Sequence, residues 1–523
     1  MITKSIVLAM VSALLLCITV AAPAAEAGPQ QPQITEARAG EQPSRAAGEQ
    51  TGQGSAQATA GTTSCISTAE GGSSAACTTT ADAGRFVSAP AASGEEYKFE
   101  ASEIEKKPYH IGGFVETRPA VNGLNKASAL YKANFYNQHE PGSLGEFNSR
   151  VQMDGTWEKG IASLFARGNF SANNTVQGWS KIGTLYEGYL TLKPSDSWIF
   201  DAGKKTFKWG KGYAWNPAAF IDRPKDPTDP DLALEGYWAA SGQFLKSFQG
   251  PLKTFSFQTV FLPVIYNVYD HTSLNDDFAG PGLNLSGAEV PSTSDQYNVA
   301  ARSYFLLYDT DIDFTLLTGQ TKTPRYGMDF SRNIGTNLEI HGEASITENF
   351  KKQFIDQNGV LHSSTSDLYS YLLGARYLST KLTTFILEYY HNGTGLTQGQ
   401  MQNFFSYVNT GYDTYIRTGK STQIARAANL VSGNYGKNSP MQNYFYLRMS
   451  QDEPFGILYW TPAISSIINL QDGSFQVIPE LTCTRITNWE FRLRTYLLAG
   501  GGGTEFGNKQ NDYRFEFRAR YFF

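Results

Sequence analysis

The last stretch of the chain alternates without interruption. Tyr513, Phe515, Phe517, Ala519, Tyr521 and Phe523 fall on one parity, and Arg514, Glu516, Arg518 and Arg520 on the other. A period of two marks a β-strand with one apolar and one polar face. The pattern recurs upstream. Residues 489–497 set Trp489, Phe491, Leu493 and Leu497 against Glu490, Arg492 and Arg494, and residues 369–377 set Tyr369, Tyr371, Leu373, Ala375 and Tyr377 against Ser370 and Arg376. Residues 338–346 set Leu338, Ile340, Gly342, Ala344 and Ile346 against Glu339, His341, Glu343 and Ser345. Soluble sandwich strands also alternate, but they are typically about six residues long. These segments are longer and flanked by aromatics, as a tilted strand needs to cross a bilayer between two aromatic girdles.

The connections carry a second rhythm. Tight turns at 158–160, 193–197, 309–310, 379–380 and 487–488 alternate with long connections at 208–234, 267–295, 348–366, 392–440 and 499–512. A barrel with short turns on one side of a membrane and extended loops on the other has this alternation. Counting back from Phe523 places strands at 513–523, 489–498, 475–484, 456–468, 442–450, 381–391, 367–377, 338–347 and 325–333. Continuing, they fall at 311–320, 296–308, 253–266, 235–248, 198–207, 182–193, 161–170, 146–157 and 109–118. Closing the last strand on the first requires an even number, so the strand-like stretch 127–137 is assigned to the first outer loop. The expected fold is all-β, a transmembrane antiparallel barrel of about 18 strands within a range of about 16–20, with no long amphipathic helix.

The first part of the chain reads differently. Residues 1–27 have the form of a secretory signal, with Lys4 in the basic start, an apolar run over 6–20 and Ala25-Glu26-Ala27 as the cleavage site. Residues 28–95 are rich in Ala, Gly, Ser and Thr and poor in large apolar residues, so they are expected to be disordered, and the barrel to occupy 96–523.

Composition narrows the classes. The 523 residues are 41% hydrophobic, 17% charged and 13% aromatic, and the mean hydropathy of -0.34 leaves no room for a bundle of apolar helices. A formal charge of -5 argues against nucleic acid as a partner. There is no Cys-x-x-Cys-His, no zinc-like Cys/His spacing, no Gly-x-Ser-x-Gly and no His-Glu-x-x-His, so no cofactor, metal or enzymatic activity is expected. Gly500–Gly503 lacks the Lys-Ser/Thr of a phosphate loop and is expected to be a flexible outer loop. Cys65 and Cys77 are a candidate local disulfide, and Cys483 is expected to be a small wall residue.

The signal, the alternating aromatic strands, the short-turn and long-loop rhythm and the terminal strand ending in Phe523 together resemble a Gram-negative outer-membrane β-barrel of the porin type. The resemblance implies outer-membrane lipid, the barrel-assembly machinery and small solutes as partners, with the leader and C-terminus in the periplasm. It also implies that Phe523 is the assembly signal.

Polar faces then point inward, because an arginine facing lipid near the midplane would cost about 2–4 kcal/mol. Glu116, Arg118, Arg150, Asp154, Arg167, Arg492, Arg494, Arg514, Glu516, Arg518 and Arg520 fall on the first and last strands, which become neighbours on closure. Glu187, Asp311, Asp313, Glu339, Glu343 and Glu388 fall on middle strands across the lumen. Facing basic and acidic walls would set a transverse field in a water-filled pore; the same charges could instead pair with each other. Between strands, Lys208, Trp209, Lys211, Trp215, Arg223, Lys225 and Asp226 belong to a proline-rich, charged segment that cannot be a strand. It is either a constriction folded into the barrel or an ordered cap outside it.

The sequence supports passive diffusion of small hydrophilic or charged solutes as the function. The alternatives are a sheath holding a multihaem cytochrome in its lumen, or surface binding through long outer loops such as 392–440.

Overall fold

The computed structural model describes residues 107–138, 142–175, 178–267, 272–273 and 295–523. The signal, the leader and the Cys65/Cys77 pair lie outside the described residues, as does most of the 267–295 connection.

The wall consists of β1 (Tyr109–Leu124), β2 (Ser143–Lys159), β3 (Ala162–Thr175), β4 (Gly178–Ser195), β5 (Trp198–Lys205) and β6 (Tyr237–Ser247). It continues with β7 (Leu252–Val264), β8 (Gln296–Leu307), β9 (Thr310–Gly319), β10 (Arg325–Ile334), β11 (Leu338–Ile355) and β12 (Leu361–Leu378). The remaining strands are β13 (Thr383–His391), β14 (Asn443–Gln451), β15 (Trp460–Asn469), β16 (Phe475–Cys483), β17 (Trp489–Ala499) and β18 (Asn511–Phe522). Each pairs antiparallel with its neighbours in sequence, forming one 18-stranded sheet. The sheet closes because β18 returns to β1, with Phe522 opposite Phe114 and Arg520 opposite Glu116. Phe523 exchanges two backbone hydrogen bonds with Gly113, of 3.2 and 3.1 Å. Closure removes the unpaired edges that a membrane would not tolerate.

The two faces separate as the alternation requires. Val115, Met153, Phe170, Ile182, Phe257, Phe314, Leu373, Leu387 and Phe515 are exposed on the outside. Glu116, Gln152, Asn169, Glu187, Ser256, Asp313, Glu343, Glu388, Glu480 and Arg518 are buried on the inside. Among the described residues no helix is long and apolar enough to cross a membrane, so the apolar belt belongs to the strands. Cys483 is buried in the wall.

Three sequence expectations are corrected, and the assignment of 127–137 to the connection after the first strand holds. The 348–366 connection is largely strand: β11 and β12 each run 18 residues and form a long hairpin with a register shift between Thr347 and Phe350. The strand-like stretch 127–137 contains helix α1 (Ala129–Phe135), started by Ser128, whose Oγ accepts the Tyr131 N–H at 3.1 Å. Its alternate Ala129, Tyr131, Ala133 and Phe135 mimic a strand, but Leu130 is buried with them. The 392–440 connection holds the long amphipathic helix that was not expected, α2 (Gln398–Thr418), followed by α3 (Thr422–Ser432). Thr397 and Gln400 form a reciprocal capping box at its start, and Gly419 ends it with φ of 70°. Finally, the loop after Gly500–Gly503 is anchored rather than loose, with Glu505 and Phe506 buried.

The helices plug one side of the mouth. Met401, Phe404, Phe405 and Val408 of α2 and Ile424 and Ala427 of α3 share a core with the inward Leu372, Ile386, Tyr444, Tyr446 and Ile467 of the wall. Their spacing at i, i+3, i+4 and i+7 gives α2 its single apolar stripe. Helix α1 joins through Lys132 Nζ, which donates to Asn409 Oδ1 at 2.7 Å, and through Tyr136 edge-on to Tyr415 at 5.2 Å.

Candidate solute pathway and its inner segment

Residues 206–236 leave the wall after β5 and rejoin it at β6 with no helix or strand between. A chain without secondary structure must find other acceptors for its buried backbone N–H groups. Here carboxylates supply them. Glu343 Oε1 accepts from Lys211 N and Gly212 N, both at 2.6 Å, and Oε2 from Ala218 N at 2.9 Å. Glu388 Oε1 accepts from Tyr213 N and lies 2.9 Å from His341 Nε2, and its Oε2 accepts from Ala214 N at 2.9 Å. Within the segment, Asp222 accepts from Phe207 N, Lys208 N and Trp209 N at 3.0, 2.9 and 2.5 Å.

Two positions need glycine. A Cβ on Gly210, which has φ of 84°, would stand 2.8 Å from Glu343 Oε1, and one on Gly212 would stand 1.9 Å from the Trp215 carbonyl oxygen.

Two tryptophans fasten the same arm. Trp209 is buried with Ile221, Tyr237, Val260 and Leu262, and its Nε1 donates to Gln258 at 3.3 Å. Trp215 stacks on Tyr390 at 5.1 Å, lies 5.8 Å from Tyr444, and donates from Nε1 to Ser439 Oγ at 3.0 Å. Lys211 Nζ reaches Asp313 at 3.4 Å, and Lys225 Nζ donates to the Gly212 carbonyl at 2.6 Å.

The other arm reaches the opposite wall. Asp226 closes its own turn by accepting from Thr228 N and Oγ1. Asp229 Oδ1 lies 3.3 Å from Arg494 and 3.8 Å from Arg492, and the Thr228 carbonyl accepts from Arg494 at 3.4 Å. Arg223 pairs with Glu235 at 3.7 Å and lies over the Tyr237 ring. The segment therefore touches β9, β11 and β13 at one end and β17 at the other, so it crosses the interior.

Burial pushes the Asp222 carboxyl up, opposed by its three N–H donors and Lys225. Burial pushes Asp229 up too, but Arg494, Arg518 and Arg492 outweigh it and hold the carboxyl well below the usual range.

Most of the wall arginines are paired along the wall. Glu116 holds Arg150 at 3.0 Å and Arg520 at 2.5 Å; Arg518 meets Glu490 at 2.5 Å; Arg514 meets Glu146 at 2.8 Å and Glu516 at 3.1 Å. Arg494 meets Glu480 at 2.5 Å, Arg448 shares that carboxylate at 3.4 Å, and Arg167 meets Glu187 at 3.1 Å. Glu146, Glu480, Glu490 and Asp229 were not among the sequence candidates. Glu480 shares a face with Gln476 and Ile478, so its strand shows no charge alternation to flag it.

On the acidic side, Asp313 is held by Arg302 in two bonds of 2.7 and 2.9 Å, Asp311 accepts from Tyr304, and Glu339 accepts from Ser331 at 3.1 Å. Glu343 and Glu388 are committed to the segment. Among the described residues Arg118 has no ion pair, and the buried Nε–H groups of Arg118, Arg150, Arg167, Arg325, Arg492 and Arg518 make no hydrogen bond. Five of the six lie on β1, β2, β3, β17 and β18, one continuous sector of the closed sheet, and Arg325 lies on β10 on its far side. No group of side chains among the described residues is arranged to hold a metal ion.

No family model and no curated protein matches the chain. Among solved structures, it is similar to Pseudomonas aeruginosa OccK8 (OprE), at 10% identity and a TM-score of 0.46 over 79% of this chain and 98% of that one. It is also similar to OccK5 (OpdH) of the same organism, at 11% identity and 0.43 over 79% and 97%, and to OprD, at 9% and 0.42 over 80% and 97%. A closed wall of 18 antiparallel strands, apolar outside and polar within, gives this chain the architecture of a porin-type membrane β-barrel.

Proposed function

We propose that the protein is a passive outer-membrane channel for small hydrophilic solutes, with residues 206–236 as its constriction. The observation that carries this reading is the crossing of a polar interior by a segment tied to Glu343 and Glu388 on one side and to Arg494 on the other. A path past such a segment is narrow and lined by fixed hydrogen-bonding groups, which sort solutes by size and charge. The arginine sector favours anions over cations along β1–β3 and β17–β18. Arg118, Arg150, Arg492, Arg494, Arg514, Arg518 and Arg520 line that side, Asp311, Asp313, Glu339, Glu343 and Glu388 anchor or line the other, and Glu187, expected from the sequence to lie across the lumen, instead adjoins the arginine sector through Arg167 because their strands are neighbours.

The sheath reading has less support, because a domain inside the lumen would have to displace the segment and the helical plug. Surface binding through 392–440 is likewise less supported, since α2 and α3 direct their apolar faces into the mouth. Purified protein in planar bilayers tests the proposal: stable ohmic steps of small conductance, with a reversal potential favouring anions, are expected. A protein that folds and inserts but never conducts between pH 5 and 8 would refute it.

A further inference from the structure

Three coverings of the barrel mouth meet at one carboxyl group. Glu505, in the connection between β17 and β18, is 1% exposed although it belongs to a loop. Its Oε2 accepts from Tyr444 Oη on β14 and from Asn469 Nδ2 on β15, both at 2.7 Å. Its backbone N–H donates to Asp472 Oδ2 at 2.7 Å, in the turn between β15 and β16. Tyr444 Oη in turn accepts from Met441 N at 2.7 Å, where the helical connection re-enters the wall. Three residues on, Asn508 Oδ1 accepts the Ala129 N–H at the start of α1 at 3.1 Å. Through the Tyr444 ring the cluster also touches Trp215 of the inner segment.

The carboxyl is poorly served as an anion. Its Oε1 accepts no hydrogen bond, and the nearest cation, Lys509 Nζ, stands 3.8 Å away while donating to the Lys437 carbonyl at 3.3 Å. An ionised carboxylate has about four lone-pair sites to fill. The groups facing it are Lys509 from its own loop, Asp472 from the β15–β16 turn and Tyr444 from β14, with Asn469 neutral. One negative, one distant positive and one hydroxyl do not compensate the lost water.

We propose that Glu505 is a protonation-controlled latch on the barrel mouth: protonated, it holds the 500–510 loop against β14 and α1; ionised, it releases the loop and with it the helical plug. The proposal rests on the channel reading for what the latch controls, not for the latch itself.

The direction follows from linkage. Burial, the largest influence, pushes the docked carboxyl up from 4.5 to about 7; Asp472 adds to the rise, and Lys509, Tyr444 and Asn469 oppose it. An undocked loop in water keeps the ordinary value. The docked form thus binds the extra proton, is fully favoured below pH 4.5, and loses ground as pH rises towards 7, with no further change above that. A separation of about 2.5 units shifts the docking equilibrium by at most about 300-fold.

The test uses the full barrel in lipid vesicles and planar bilayers. Amide-exchange protection of residues 504–508, corrected for the intrinsic pH dependence of exchange, should fall between pH 5 and pH 8 while channel current rises. Glu505→Gln keeps an oxygen for Tyr444 and Asn469 without a titrating proton, so it should stay protected and weakly conducting at both pH values. The heat-modifiable mobility of folded barrels checks that each sample is closed. Protection that does not change with pH in the unsubstituted protein, or that changes equally in Glu505→Gln, overturns the latch. Exchange that follows pH without current at any pH keeps the latch and refutes the channel reading.

Discussion

Replacing Glu343 by Ala removes the acceptor of three backbone N–H groups of the inner segment, those of Lys211, Gly212 and Ala218. Hydrogen bonds to a charged acceptor are each worth about 1.5–3 kcal/mol, so the gross loss is about 4–9 kcal/mol. The segment does not have to bear all of it, because freed donors that turn to water in the lumen recover part. A net weakening of about 3–5 kcal/mol is the working figure. Wall pairing is untouched: β10, β11 and β12 keep their ladders. The perturbation should therefore loosen residues 208–218 while leaving the barrel closed. The assay is single-channel recording beside thermal unfolding on gels. Glu343→Ala is expected to conduct several-fold more than the parent, with excess open-channel noise and little change in unfolding temperature. Glu343→Gln should fall between, since its amide oxygen replaces Oε1 but its NH2 group faces the Ala218 donor. Unchanged conductance and noise in Glu343→Ala, in a folded barrel, would refute the claim that this carboxylate holds the constriction in place.

Three further outcomes follow from the same geometry. Trp209→Ala, at a site 2% exposed, should cost about 3–5 kcal/mol of local packing, and its effect on conductance should be less than additive with Glu343→Ala, because both fasten one arm; a double-variant cycle measures this. Asp229→Asn should shift the reversal potential toward anions by removing one of the carboxylates that Arg492 and Arg494 share with Glu480. Because the Asp229 carboxyl is held well below its ordinary value, that contact is lost only as pH falls through that low value, so this arm should give the unsubstituted protein no selectivity change between pH 5 and 8. Deleting Phe523 removes both backbone bonds to Gly113 at the seam, and refolding yield into detergent should drop; an undiminished yield would show that the seam closes without it.

The strands were legible because a bilayer imposes a strict code. Every strand must be apolar outside and tolerably polar inside, so the parity of Tyr513 to Phe523 or of Leu338 to Ile346 survives in the sequence, and all 18 strand positions could be counted. Lengths were less legible: above the membrane, β11 and β12 continue as a hairpin with no lipid to enforce alternation. Helix α2 carried a readable signal, Thr397 and Gln400 followed by Met401, Phe404, Phe405 and Val408, but it lies in a polar, Asn- and Thr-rich stretch whose low overall hydrophobicity hides the stripe. Which charge pairs with which was not legible. Pairing depends on register between strands distant in sequence, as when Arg520 comes to lie opposite Glu116 only because the barrel closes there.

The two walls of opposite charge suggested by the sequence take on a different physical role once the segment is in place. An irregular chain inside a barrel carries a large number of backbone donors that neither strands nor helices satisfy, and acceptors on the wall are the cheapest remedy. Glu343 and Glu388 meet five of those donors, and Asp313 is absorbed by Arg302 and Lys211. The middle-strand carboxylates therefore act as anchors before they act as a field. Across the lumen, Glu116, Glu146, Glu480 and Glu490 neutralise most of the arginine sector at short range, where a pair within one wall gains more than one acting across water. What is left to act on a solute is local, the unpaired Arg118 above all. Selectivity in such a lumen should depend on Arg118 more than on any arginine already held by a glutamate.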